Sequence, residues 1–212
     1  MTLCNNYRPI TLSSLFSKVF SSILNKRLTV FIESNNILPE EQAGFRRGYS
    51  TIDHIFTLYA MVSKCFAKNR KLYVAFIDFS KCFDSINRSA LFNVLKRHGL
   101  SGDFLLTVQF MYDHVYASVK NSNAMSDYFE SLVGLKQGCL ISPSCFNIFI
   151  AELTRKINLY SRNGIQFSPN DPIIHHLMYA DDNLNNKGLL LYKRLCFDPV
   201  SNVNRQRLFI CI

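Results

Sequence analysis

Leu72-Tyr-Val-Ala-Phe-Ile-Asp78 is an unbroken, aromatic-rich apolar run that stops at a carboxylate. A short, bounded run of this kind reads as a strand buried on both faces. A second apolar stretch, Ile173 to Tyr179, also predicts a strand and passes through Ala180 into Asp181 and Asp182. Successive strand residues point to opposite faces, so the adjacent aspartates belong in a hairpin turn, where both can approach one point. If the two strands are neighbours, three carboxylates meet although 181 − 78 = 103 positions separate the first two. Two unit charges about 4 Å apart repel by roughly 4 kcal/mol near a protein surface, so such a cluster calls for a cation. Carboxylates with water suit Mg²⁺. Taken alone, paired aspartates in a turn are common and most bind nothing.

Helical spacing flanks these strands. Leu12, Leu15, Phe16, Val19, Phe20, Ile23, Leu24, Leu28, Phe31 and Ile32 predict one long amphipathic helix after Pro9, ended by Asn35 and Asn36. Ser50-Thr-Ile-Asp53 has the form of a capping box, and Ile52 to Phe66 continues as a second helix. Asn87 can cap a helix through Leu95 that Gly99 stops, and Ser101 can start another through Val115. Tyr116 to Lys120 and Tyr128 to Val133 suit strands, and Ser142-Pro143 opens a helix through Ile157, with Gly164 as its stop. Strands interleaved with helices imply an α+β or α/β sheet covered by helices.

Composition narrows the class. With 48% hydrophobic residues, 18 Phe, 10 Tyr and only 18% charged residues, the 212-residue chain can bury a core and is not disordered. The formal charge of +9 points to an anionic partner, nucleic acid or an acidic membrane face. Seven cysteines without a CxxC pair or zinc spacing read as reduced thiols in an intracellular compartment, cytoplasmic or nuclear. There is no signal-peptide pattern, and the most apolar stretch, Cys145 to Leu153, is too short to span a bilayer, so no membrane partner is expected. His175-His176 has no companion at ligand spacing and reads as structural. The basic clusters at Lys64 to Lys71 and at Arg88, Lys96 and Arg97 could follow a nucleic-acid backbone, with a solvated face the default for each.

Five segments in order carry a family resemblance: Asn6-Tyr-Arg-Pro-Ile-Thr-Leu12, Gln42-Ala-Gly-Phe-Arg-Arg-Gly-Tyr-Ser-Thr51, Ala75-Phe-Ile-Asp-Phe-Ser-Lys-Cys-Phe-Asp84, Gly134-Leu-Lys-Gln-Gly-Cys-Leu-Ile-Ser-Pro143 and Tyr179-Ala-Asp-Asp182. Through them the chain resembles the reverse transcriptases of non-LTR (LINE-type) retrotransposons. The resemblance implies an α+β fold of the right-hand polymerase type, a palm of antiparallel sheet backed by helices together with fingers. Residues 1–72 would be fingers-like, 73–182 the palm with interleaved fingers elements, and 183–212 a divergent, poorly ordered tail. It implies RNA-directed DNA synthesis on an RNA template, with a DNA primer and dNTPs as substrates. Asp78, Asp181 and Asp182 would hold two Mg²⁺ ions, with Mn²⁺ an alternative. Phe83 matches an aromatic gate against the ribose 2′-hydroxyl, the atom that separates RNA from DNA; a plain core Phe is the other reading. Gln137 and Gly138 match a segment along the incoming nucleotide and template, with a structural turn the other reading of the Gly; Arg46 matches a contact to the triphosphate, with a solvated side chain the alternative. Arg47, Lys81 and Tyr179 would face nucleic acid, with a solvated side chain the alternative for the two cations.

The resemblance stops at Asp182. Asn183-Leu-Asn-Asn-Lys187 is polar and a poor strand former, and neither a later lysine-bearing segment nor a thumb is recognisable. A catalytically inactive, truncated relic that at most binds nucleic acid is therefore the competing expectation.

Overall fold

A computed structural model describes residues 10–72, 74–77, 79, 81–121, 124–161, 164–180, 188–190 and 209–211. Asp78, Asp181 and Asp182 lie outside the described residues, as does the start of the first motif segment up to Pro9. The chain divides into two compact units. One takes in residues 1–31 and 81–149, and the other residues 32–80 and 150–212.

Helix α1 runs Leu15–Ser34. It begins later than Leu12 because the Ser14 hydroxyl and carbonyl accept the Ser17 and Lys18 N–H groups at 3.2 and 3.0 Å, which places the cap there. Leu24, Leu28 and Ile32 are buried, and Asn36, at φ +49°, ends the helix in the left-handed conformation that Asn tolerates. Helix α2 is Thr51–Ala67, and its capping box is formed: Ser50 Oγ accepts the Asp53 N–H, while Asp53 Oδ2 accepts the Ser50 N–H at 2.7 Å. Strand β1 is Val74–Ile77.

In the first unit a one-turn helix, α3 (Cys82–Ser85), follows Lys81 at φ +51° and was not evident from periodicity. Helix α4 (Arg88–Arg97) is capped by Asn87, whose Oδ1 accepts the Ala90 N–H at 3.0 Å. It packs on α5 (Gly102–Phe110). The two strands expected between Tyr116 and Val133 form a hairpin arm in two short ladders. β2 (Tyr116–Ala117) pairs with β5 (Phe129–Glu130), and β3 (Lys120–Asn121) with β4 (Ala124–Met125). Between the ladders, Val119 and Ser126 bond through a backbone carbonyl and the serine hydroxyl at 2.9 Å each. Leu91, Leu95, Val108, Ile141 and Phe146 are fully buried.

Helix α6 is Ser142–Tyr160. Its last turn closes at Ser161, three residues before the expected stop at Gly164, which instead sits beneath Ile173 and His175.

In the second unit, β1 is the centre of an antiparallel sheet ordered β6-β1-β7, with β6 (Gly188–Leu190) and β7 (Phe209–Cys211) on its two edges. The segment Ile173–Tyr179, predicted to be a strand, forms only isolated bridges, Ile174 with Ile165 and Met178 with Gln42. These are single-residue pairings with two different partner segments, so no continuous ladder is built. Ile174 exchanges both bonds with Ile165, and Met178 donates to Glu41 O at 2.8 Å and accepts from Ala43 N at 3.0 Å. The segment still packs by side chain: Leu177 and Met61 are buried together, with Leu58, Val74, Ile165, Phe167 and Ile174 around them. Lys64, half-buried, adds bonds to the carbonyls of Gln166 and Phe167, so one member of the basic 64–71 cluster is committed to the fold.

His176 is fully buried, and neither ring nitrogen has a hydrogen-bond partner among the described residues. Burial pulls its pKa down to about 4; the charge of Glu41 opposes this and His175 reinforces it. The unfolded ring binds a proton below about pH 6.5 while the folded ring does not. Stability is therefore complete above that value and falls as the pH drops towards 4, by up to about 3 kcal/mol at 1.36 kcal/mol per unit. Urea midpoints at pH 7 and pH 4.5 should differ by more in the native chain than in His176→Phe. Equal pH sensitivity in the two would contradict this origin.

Candidate active site

In the second unit the Gln42 segment is clasped onto the residues that lead into Asp181. The Gln42 side chain is fully buried, and its Oε1 accepts two backbone N–H groups, from Gly44 at 2.9 Å and from Ala180 at 3.0 Å. The bonds of Ala43 and Glu41 to Met178 set the register on either side. A Cβ at Gly44 would stand 2.7 Å from Ala180 Cα, so only glycine allows this approach. His54, on α2, has Nε2 2.9 Å from Met178 O, and its ring meets the edge of Tyr179 at 6.3 Å. Since a carbonyl can only accept, His54 carries its proton on Nε2. Thr154 Oγ1 reaches Met178 Sδ at 3.1 Å, and Asn158 donates to Glu41 at 2.7 Å.

The two arginines of this segment differ sharply. Arg46 has a side chain only 6% exposed and forms a two-pronged ion pair with Glu33, Nε to Oε1 at 3.2 Å and Nη2 to Oε2 at 2.9 Å. It also donates to the carbonyls of Pro39 and Gln42, and lies 4.1 Å over the Tyr49 ring. Burial works to lower its pKa, but the Glu33 hydrogen bond and charge outweigh this and raise it. Tyr49 in turn bonds Glu40 at 2.7 Å, which raises the phenol's pKa. Arg46 thus ties the loop to the end of α1. Arg47 is exposed and makes no side-chain hydrogen bond or ion pair among the described residues.

In the first unit the segments carrying Phe83 and Gln137 are joined. Leu135 N–H donates to Phe83 O at 2.7 Å and Gly134 N–H to Ile86 O at 2.8 Å. Gln137 Nε2 donates to Asp84 Oδ1 at 2.7 Å, and Gln137 O accepts the Thr11 N–H at 3.1 Å. Gly134, at φ +81°, has Asp84 O 2.6 Å from where a Cβ would be, so both conformation and space require glycine. Phe83 is 8% exposed, and its ring stacks on Phe146 with centroids 4.7 Å apart. Gly138 is exposed beside Thr11, and Lys81 is exposed at the head of α3.

Arg88 holds the approach to this segment. Its guanidinium donates to Gly134 O and Tyr112 O at 2.9 Å, to Ser131 O at 2.6 Å, to Ser131 Oγ at 3.2 Å and to Val133 O at 3.3 Å. Burial lowers its pKa, with Tyr112, Asp113 and Glu130 opposing. Lys136, its pKa also lowered by burial, donates to Met111 O at 2.7 Å. The Ser142 hydroxyl donates to Lys136 O, so Tyr112 must be the donor in their 2.9 Å bond. Burial also pushes the Cys145 thiol up to about 12, leaving it unreactive.

Of the predicted site residues, Phe83, Gln137, Gly138 and Lys81 thus fall in one unit, and Arg46, Arg47 and Tyr179 in the other. The three metal-binding candidates fall outside the described residues, and no other three His, Cys, Asp or Glu side chains among the described residues gather to hold an ion. Gln42, Asp84, His54 and Arg88 were not singled out. The solvated-face expectation does not hold for Arg88, because spacing in the sequence does not reveal that carbonyls surround it.

Residues 2–185 match the reverse transcriptase (RNA-dependent DNA polymerase) family, and the chain belongs to it. Among known relatives, the chain is 28% identical over 154 residues to the probable RNA-directed DNA polymerase from transposon BS of Drosophila melanogaster, covering 70% of this chain and 16% of that protein. It is 28% identical over 177 residues to the Pol polyprotein of the type-2 retrotransposable element R2DM from the same species, covering 84% of this chain and 16% of that one. These are enzymes of non-LTR retrotransposons, and the chain spans about a sixth of their length. Among solved structures, telomerase from Candida albicans, in complex with a TWJ fragment of telomeric RNA, is similar in fold with a TM-score of 0.52 at 15% identity. That likeness covers 84% of this chain and 31% of telomerase.

Two substitutions test the packing. Arg88→Lys keeps the charge but cannot reach the same five acceptors, and should cost about 2 kcal/mol in urea unfolding. Gly44→Ala should cost about 1–3 kcal/mol by overpacking against Ala180; a neutral result would mean that the clasp yields freely.

Proposed function

We propose that the chain carries an RNA-directed DNA polymerase centre, in which a DNA primer paired to an RNA template is extended by dNTPs. The match of residues 2–185 to the reverse transcriptase family carries this reading. The primer 3′-hydroxyl attacks the α-phosphate of the dNTP, the new phosphodiester bond forms, and pyrophosphate leaves. Residues 1–72 serve as fingers and 73–182 as palm, in a cytoplasmic or nuclear setting; among the described residues no helix is long and apolar enough to cross a membrane.

Asp78, Asp181 and Asp182 offer hard carboxylate oxygens, the donor chemistry that suits Mg²⁺, with Mn²⁺ as a substitute. Bound there, two ions supply positive charge for the attacking and leaving oxygens. Phe83, fixed by its stack on Phe146, is rigid enough to exclude a 2′-hydroxyl by bulk. Gln137, braced by Asp84, and Gly138 line the nucleotide and template. Arg46 shapes the fingers loop through Glu33, and the uncommitted guanidinium of Arg47 is the better placed of the two to meet phosphate oxygens. Lys81 and Tyr179 lie towards the nucleic acid.

The test is primer extension on an RNA template with and without Mg²⁺. Extension should require the ion and disappear in the Asp181→Ala, Asp182→Ala double variant; activity surviving that variant refutes the site. Salt-sensitive binding of nucleic acid without incorporation would mark the chain as a binding protein only.

A further inference from the structure

We propose that Gln42 is a positioning residue for the Asp181–Asp182 pair, acting through Ala180; this rests on the polymerase reading of those carboxylates. Ala180 is the last residue before Asp181, and its backbone is at φ +48°, the left-handed conformation that a non-glycine residue adopts only at an energetic cost. Something must hold it there. The Ala180 N–H donates to Gln42 Oε1 at 3.0 Å, in a place where Gln42 is fully buried. The same oxygen accepts the Gly44 N–H at 2.9 Å, so one atom joins the turn of the fingers loop to the residue from which the aspartate pair departs.

The side chain's other end sharpens the assignment. Gln42 Nε2 has no hydrogen-bond partner among the described residues. A buried amide with an unsatisfied donor is costly, and an apolar side chain of the same length would fill the space without that penalty. The oxygen is thus the atom the site uses, and its work is orientation. Met178 is bonded on both sides by Glu41 and Ala43, and Gly44 leaves no room for Ala180 to shift towards the loop. Among the described residues, the backbone at Ala180, the last before Asp181, is therefore held by the 41–44 loop.

The full chain serves for the test, with Gln42→Met, which keeps length but loses the acceptor, and Gln42→Glu, which keeps the acceptor oxygen. Three readouts apply: amide exchange at Ala180, Mn²⁺ binding followed by its electron spin resonance signal, and steady-state extension. Gln42→Met should lose Ala180 protection, weaken Mn²⁺ binding and lower kcat about 10- to 100-fold, with the KM for dNTP within about twofold, as misplacement of catalytic groups predicts. Gln42→Glu should restore all three towards the native values, which a general loss of stability would not do. Retained Ala180 protection or native Mn²⁺ affinity in Gln42→Met overturns the proposal while leaving the polymerase reading intact. A native chain that neither binds Mn²⁺ nor extends a primer overturns both. A native chain that binds Mn²⁺ but extends nothing removes the polymerase reading alone, and a Mn²⁺ loss in Gln42→Met rescued by Gln42→Glu then still supports the positioning role.

Discussion

A single buried amide oxygen organises the second unit. Gln42 Oε1 satisfies the backbone N–H groups of Gly44 and Ala180, two residues that are 136 positions apart in the chain (180 − 44). Left unsatisfied in the interior, each N–H would cost on the order of 1–3 kcal/mol, so the loop and the 178–180 segment are stable together and not singly. Everything around the contact is consistent with that constraint. Gly44 lacks the atom that would prevent approach, His54 is held in one tautomer by Met178 O, and Asn158 engages Glu41 from α6. Ile173–Tyr179 pairs with Ile165 at Ile174 and with the loop at Met178, two different partners, so it does not extend as one ladder.

The first unit solves a similar problem with a cation. The loop between β5 and α6 presents several carbonyls to the interior, and Arg88 satisfies three of them, along with the Ser131 hydroxyl and the Tyr112 carbonyl that follows α5. A planar guanidinium with five donors can do this where a lysine cannot. The result is a rigid base for Gln137, which is braced a second time by Asp84. In both units, then, an arginine that the sequence offers as a phosphate contact, Arg46 in one and Arg88 in the other, is committed to internal architecture. The basic surface available to phosphate is correspondingly smaller than the formal charge of +9 suggests.

Strand β1 was legible because its apolar run is continuous and bounded, and its bonding to β6 and β7 draws both partners from residues after 187. Those partners were not legible. A three-residue strand carries little periodicity of its own, and what selects it is the row of free backbone groups offered by β1. Conversely, the helices α2 and α4 were readable down to their caps, because Ser50 with Asp53 and Asn87 act on backbone groups only three residues away.

The sequence by itself determined the family, through five ordered segments that need no coordinates, together with the helices whose periodicity and caps are local. It also named Phe83, Gln137, Gly138, Lys81, Arg46, Arg47 and Tyr179 as a set. Only the tertiary structure decided what those residues touch: that Arg46 is enclosed by Glu33 and Tyr49, that Phe83 rests on Phe146, and that Gln42 holds Ala180. The division has a simple physical cause. Periodicity and capping act over a few residues and are written in adjacent positions. Burial and hydrogen-bond satisfaction depend on neighbours that are 13 (Glu33 and Arg46), 63 (Phe83 and Phe146; 146 − 83) and 138 (Gln42 and Ala180) positions away, which no local pattern encodes.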